Sequence, residues 1–111
     1  MKMNNINKTN KEAWNAHASR YFEENKLTVH QVDYCGQYYP NEDDLQLIGD
    51  VKGLKILEIG AGSCNIGIAL ALKGADVTCI DISEEQIKLG EKVAQENGVH
   101  IKTLVMDMEE L

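Results

Sequence analysis

Two periods of apolar residues follow one another through the second half of the chain. Residues 54–59 form an apolar segment of strand length, and 65–73 carry apolar residues nearly all round a helix that Gly74 is positioned to end. Residues 76–80 return to a strand rich in β-branched residues. Ser83, Glu84, Glu85 and Gln86 then read as a capping box, in which Ser83 accepts from the Gln86 N–H while the Gln86 side chain reaches back. The helix opened there runs to about Asn97, with a Glu84 to Lys88 pair on its surface and Gly98 as its stop; 101–106 read as a third strand. The alternation predicts an α/β fold in which right-handed crossovers join parallel strands into a doubly wound sheet, in the spatial order 3-2-1. Ligands of such sheets bind beyond the carboxyl ends of the strands.

The first half is less regular. Residues 11–24 read as an amphipathic helix, with Trp14, Ala18, Tyr21 and Phe22 on one side and Glu12, Arg20, Glu23 and Glu24 elsewhere. Residues 25–40 have no clean period and hold the cluster Tyr34, Tyr38 and Tyr39; they read as an irregular segment able to cover a site. The only proline, Pro40, precedes Asn41 and the acidic turn Glu42, Asp43 and Asp44, which predicts a second helix start where the macrodipole favours negative charge. That short helix carries Leu45, Leu47 and Ile48 and ends by Gly49 or Gly53. Residues 1–53 thus form a helical cap segment with two helices, ahead of a regular unit over 54–111.

Composition narrows the function. With 111 residues the chain has room for one domain with a modest core. A net charge of -7 and a pI near 4.8 argue against a partner gripped through nucleic-acid phosphates. The first eleven residues lean basic through Lys2, Lys8 and Lys11 and are rich in Asn, which reads as a frayed terminus and not as a signal peptide. No apolar run approaches a membrane span, so the chain reads as soluble and free of any membrane partner. Cys35, Cys64 and Cys79 suit neither a disulfide framework nor a metal knuckle, which points to the cytoplasm and to no metal. His17, His30 and His100 stand far apart and read as surface or packing residues.

The chemistry concentrates in Leu57-Glu58-Ile59-Gly60-Ala61-Gly62-Ser63-Cys64-Asn65-Ile66-Gly67, where a strand ends in a glycine turn and a helix opens. Glycines let backbone approach a ligand that a Cβ would push away, and the helix start offers N–H donors. A nicotinamide-binding fingerprint has a third glycine where this chain has Asn65, and Glu58 has no part in it. The turn with its preceding acidic residue instead resembles the first motif of class I S-adenosylmethionine-dependent methyltransferases. That resemblance covers 54–111 and implies the first, cofactor-binding half of a Rossmann-like domain, with S-adenosyl-L-methionine as cofactor. It implies that Gly60, Ala61 and Gly62 wrap the methionine portion and that Asp81 accepts from both ribose hydroxyls. Ile82 then packs on adenine, Asp107 meets its exocyclic amine, and the Met108 N–H donates to a ring nitrogen. Glu58 anchors the turn or meets the cofactor amine. The upstream helix with Trp14 and Tyr21 is similar to one that small-molecule methyltransferases hold over the cofactor, which adds Tyr21 to the contact set.

The resemblance also has departures. Cys64 stands where many family members have a third glycine, and its side chain crowds the turn or needs an unusual backbone angle. The family fold continues with strands on the far side of strand one that build the acceptor site, so no catalytic acid or base is assigned here. Strand one has the apolar content of a central strand and a sequence-adjacent partner on one side only. This chain is therefore expected to be the N-terminal part of a longer enzyme or a homo-oligomer joined through strand-one edges, acting on a small-molecule acceptor. The alternatives are half of an NAD(P)-binding oxidoreductase, or a non-catalytic interaction module with the same fold.

Overall fold

A computed structural model describes residues 4–25, 32, 34 and 39–111. The elements run α1 (Asn5–Asn25), α2 (Glu42–Leu45), β1 (Lys55–Ile59), α3 (Asn65–Leu72), β2 (Asp76–Asp81), α4 (Glu84–Glu96) and β3 (Lys102–Val105), closing in a 3₁₀ turn, Met108–Glu110. The three strands are parallel in the order β1-β2-β3, as the alternation predicts. Ile59 pairs with Ile80, and Asp81 with Val105, so the carboxyl ends of all three strands come out at one rim.

Both crossovers have the same hand, so α3 and α4 lie on one face of the sheet and touch each other. The core lies beneath them, built from Ile68, Leu70, Val77, Cys79, Ile87 and Val93. Two helix glycines set how closely these layers approach. A Cβ on Gly67 would stand 2.5 Å from Cys79 Sγ, and one on Gly90 would stand 2.7 Å from Cys64 Sγ and 2.8 Å from the Ser63 carbonyl. On the other sheet face Leu57, Ile59 and Leu104 are exposed by 51%, 45% and 50%, while Ile80, between the last two, is buried.

Three local readings change. The Asn-rich start is helix, not a frayed end: α1 begins at Asn5, and Asn4 Oδ1 accepts from the Asn7 N–H at 2.8 Å. The side of α1 turned inward is also more polar than the amphipathic pattern suggests, because Asn7, Lys11 and Asn15 at i, i+4 spacing lie partly buried above Ala18. Trp14 stays 45% exposed. α2 is a single turn, since Gln46 takes a left-handed φ of 52° and ends it well before Gly49. Its acidic start is capped as expected, with Asn41 Oδ1 accepting from the Asp43 N–H at 2.9 Å. Finally, only half of the Ser83 capping box forms: Ser83 Oγ accepts from the Gln86 N–H at 3.2 Å, while the Gln86 amide turns inward and makes no bond.

Of the irregular stretch over 25–40, most residues lie outside those described, Tyr38 and Cys35 among them. Val32 is buried in the core, and its carbonyl accepts from the Glu42 N–H at 2.9 Å. Tyr34 donates to the buried Glu42 carboxylate, which also accepts from the N–H groups of Ile48 and Gly49, both at 2.9 Å. The Tyr34 hydroxyl and then these backbone donors hold Glu42 down to about 2, so this charge ties the cap segment together across the acidic to neutral range.

Candidate cofactor site

The site begins where β1 ends. Gly60, Gly62 and Cys64 take φ values of 69°, 59° and 63°, an alternation that curls the backbone into a tight turn. Cys64 holds a left-handed conformation at roughly 1 kcal/mol, and its fully buried thiol fits because Gly90 has no side chain opposite. Its Sγ lies 3.8 Å from the Gly62 carbonyl. The turn is fastened to β2 in two ways: the Ala61 N–H donates to the Ile80 carbonyl at 2.9 Å, and the Gly62 N–H donates to Asp81 Oδ2 at 2.8 Å. The other Asp81 oxygen accepts from the Ser83 N–H at 2.9 Å, immediately before α4. One carboxylate therefore joins the glycine turn to the start of the next helix.

At the end of β3 the arrangement repeats with different partners. Asp107 is buried and caps the 3₁₀ turn, Oδ1 accepting from the Glu109 N–H at 3.0 Å. Its Oδ2 accepts from the Asn7 side-chain amide of α1. Further bonds hold α1 over the rim, among them the Lys11 pair with Glu84 at 3.2 Å and the Ser83 Oγ donation to Asn15 Oδ1.

These elements enclose a cavity of about 340 Å³, within the range of small-molecule sites. Gly60, Ala61, Gly62, Asp81, Ile82, Asp107 and Met108 all line it, so the structure brings together seven of the nine residues singled out from sequence. Two stand apart. Glu58 does not reach the cavity: its Oε1 accepts from the Gly67 N–H at 3.1 Å and lies 3.7 Å from Cys79 Sγ, under the start of α3. The contacts of its carboxylate are thus with the first turn of α3 and with β2. Tyr21 lies on α1, with its side chain outside the described residues.

Burial pushes the Glu58 carboxyl up to about 7, more than the Gly67 N–H and the Cys79 contact lower it, with the nearby Asp81 charge adding to the rise. Contact with Cys64 and then burial push the Cys79 thiol up as well, so neither group is charged around Gly67 at mildly acidic pH.

Sequence reasoning missed other parts of the lining, namely Asn7, Asn10, Ile80, Gln86 and Met106. A signal for the first was present in the i, i+4 stripe Asn7, Lys11 and Asn15, which an apolar search passes over. Among the lining residues there are two carboxylates and no Lys, Arg or His. That balance suits a ligand with cationic or hydroxyl groups and opposes a pyrophosphate. Among the described residues there is no group of three metal-ligating side chains, and no helix is long and apolar enough to cross a membrane.

Residues 56–111, just over half of the chain, match the methyltransferase domain family. The chain belongs to that family. A ubiquinone biosynthesis O-methyltransferase of Bordetella avium (strain 197N) is 35% identical over 66 residues, 60% of this chain and 27% of its own length. One of Rickettsia prowazekii (strain Madrid E) is 30% identical over 111 residues, 98% of this chain and 44% of its own length. The chain thus spans less than half the length of either relative. Among solved structures, magnesium protoporphyrin IX methyltransferase from Synechocystis PCC 6803 with bound SAH superposes with a TM-score of 0.69 at 21% identity. The match covers 95% of this chain and 53% of that one, a likeness of fold.

In this methyltransferase domain the buried Glu58 makes stability depend on pH. Unfolded, the carboxyl loses its proton near 4.5; folded, it keeps it to about 7. Its contribution is full below pH 4.5 and declines as pH rises to 7, on the order of 3 kcal/mol in all. Glu58→Gln, which fixes the neutral shape, is expected to flatten urea-unfolding stability over that window. A variant with the wild-type slope contradicts the assignment.

Proposed function

We propose that the cavity binds S-adenosyl-L-methionine as the cofactor site of a methyltransferase acting on a small-molecule acceptor. The observation that carries this reading is the lining itself: a glycine turn, Asp81 and Asp107 at three successive strand ends, with no cationic side chain among them. A sulfonium cofactor with an ammonium group is attracted by such a field, whereas the pyrophosphate of a nicotinamide cofactor is repelled. Family membership supports the reading, as do the names of the relatives, which are O-methyltransferases.

In this reading Gly60, Ala61 and Gly62 wrap the methionine portion. Each Asp81 oxygen already accepts one backbone N–H and keeps lone pairs for a ribose hydroxyl. Ile82 lies against adenine, Asp107 accepts from the adenine amine in exchange for Asn7, and the Met108 N–H meets a ring nitrogen. Glu58 supports the turn from below, and α1, which carries Tyr21, covers the bound molecule. When bound, the cofactor would supply an electrophilic methyl group on a sulfonium, for in-line transfer to a nucleophilic acceptor with S-adenosylhomocysteine as the leaving product. Because positioning supplies much of such a barrier reduction, no acid or base is assigned to this chain.

The free thiols of Cys64 and Cys79 support a reducing, cytoplasmic location. The edge of β1, unpaired among the described residues, and the apolar residues beside it support association of two copies through their β1 strands.

Calorimetric titration with S-adenosylhomocysteine and with NADH separates the cofactor readings. Wild-type protein is expected to bind the first and not the second; Asp81→Asn should weaken binding about tenfold to a hundredfold by removing charge-assisted acceptors. Binding of NADH alone, or unchanged affinity in Asp81→Asn, contradicts the site. In sedimentation a dimer is expected at high protein concentration, and a monomer throughout contradicts the edge pairing.

A further inference from the structure

Gln86 is buried to 1% exposure in the cavity wall, yet neither its Nε2 nor its Oε1 has a hydrogen-bond partner among the described residues. These are the only two buried side-chain polar atoms so stranded among those residues. A buried amide with both ends unpaired is expensive, and native structures hold few of them. The Gln86 N–H caps α4 on Ser83 Oγ, and the side chain takes no part in that cap. It turns instead toward the glycine turn, where a Cβ on Gly62 would stand 3.9 Å from its Oε1. Gly62 is also the residue whose N–H holds Asp81.

We infer that the Gln86 amide is a second ligand of the ribose diol, supplying the donors that Asp81 lacks. This rests on the cofactor reading above and sharpens it. A vicinal diol has two protons to give and two oxygens that need donors. An ionised carboxylate only accepts, so Asp81 takes the protons and leaves the hydroxyl oxygens unmet. Gln86 Nε2 carries two unused N–H groups on the same side of the turn, and the terminal amide can rotate end for end to present them. After that rotation Nε2 faces the turn and Oε1 takes the position Nε2 held. The two side chains complement each other: one takes the diol protons, the other gives to the diol oxygens, and a sugar lacking the hydroxyls satisfies neither.

Gln86→Met keeps the length and shape of the side chain without the amide, and Gln86→Leu removes the amide with a shorter apolar side chain. Calorimetry on the full chain compares S-adenosylhomocysteine with its analogue lacking both ribose hydroxyls. Each variant is expected to bind S-adenosylhomocysteine about tenfold more weakly than wild type, while all three proteins bind the analogue alike. Unliganded variants are expected to melt at or above the wild-type temperature, because an unpaired buried amide has been removed. Unchanged affinity for S-adenosylhomocysteine, an equal loss for the analogue, or a marked drop in melting temperature overturns the Gln86 assignment while leaving the cofactor reading intact. A wild-type protein that binds no S-adenosylhomocysteine overturns that reading, and this inference with it.

Discussion

The geometry of the site depends on one carboxylate. Asp81 accepts the Gly62 N–H on one oxygen and the Ser83 N–H on the other, and so joins a loop after β1 to a loop after β2. Each bond to an ionised group is worth about 1.5–3 kcal/mol. They can form because the parallel register sets Ile59 beside Ile80, which leaves Gly60 and Asp81 emerging together from the rim. Without that register the turn has no partner. Asp107 does the same one strand further on, capping the last turn and meeting α1 through Asn7.

Beneath this rim the layers are held apart by very little. Cys79 and Glu58 lie under Gly67, and Cys64 under Gly90, at distances that exclude any larger residue at either glycine. The left-handed Cys64 is the consequence of that packing: its thiol fills the space a glycine would leave, and the backbone accepts the strain. Glu58 belongs to the same layer. Its burial serves the N–H of Gly67 inside α3 and not the cavity, although in the chain it stands only two residues from the turn.

The parts of the fold legible in the sequence are those set by neighbours along the chain. Strand, helix and strand alternate from 54 onward, and with the handedness of crossovers that alternation leaves few sheet orders, of which 3-2-1 is the one observed. Asp81 and Asp107 were legible too, because the first ends β2 and the second stands two residues past β3. Less legible were the features set by distant residues. α1 packs through Asn7, Lys11 and Asn15 because its partners are the polar start of α4 and Asp107, which no periodicity of apolar residues reports. Whether Glu58 points at ligand or at α3 depends on the pleat of β1 against a helix that comes later in the chain. The Ser83 box carries a local preference that the cavity overrides, since the Gln86 side chain has space to enter there and none is required of it at the cap.

The most direct test of the central claim, that the strand-end cavity is a cofactor site, is an amide correlation spectrum of ¹⁵N-labelled protein titrated with S-adenosylhomocysteine. The account predicts saturable shifts centred on the amides of Gly60, Ala61, Gly62, Asp81, Ile82 and Met108, with smaller ones along α1. Shifts that avoid this rim, or a spectrum unchanged by the ligand, would contradict it.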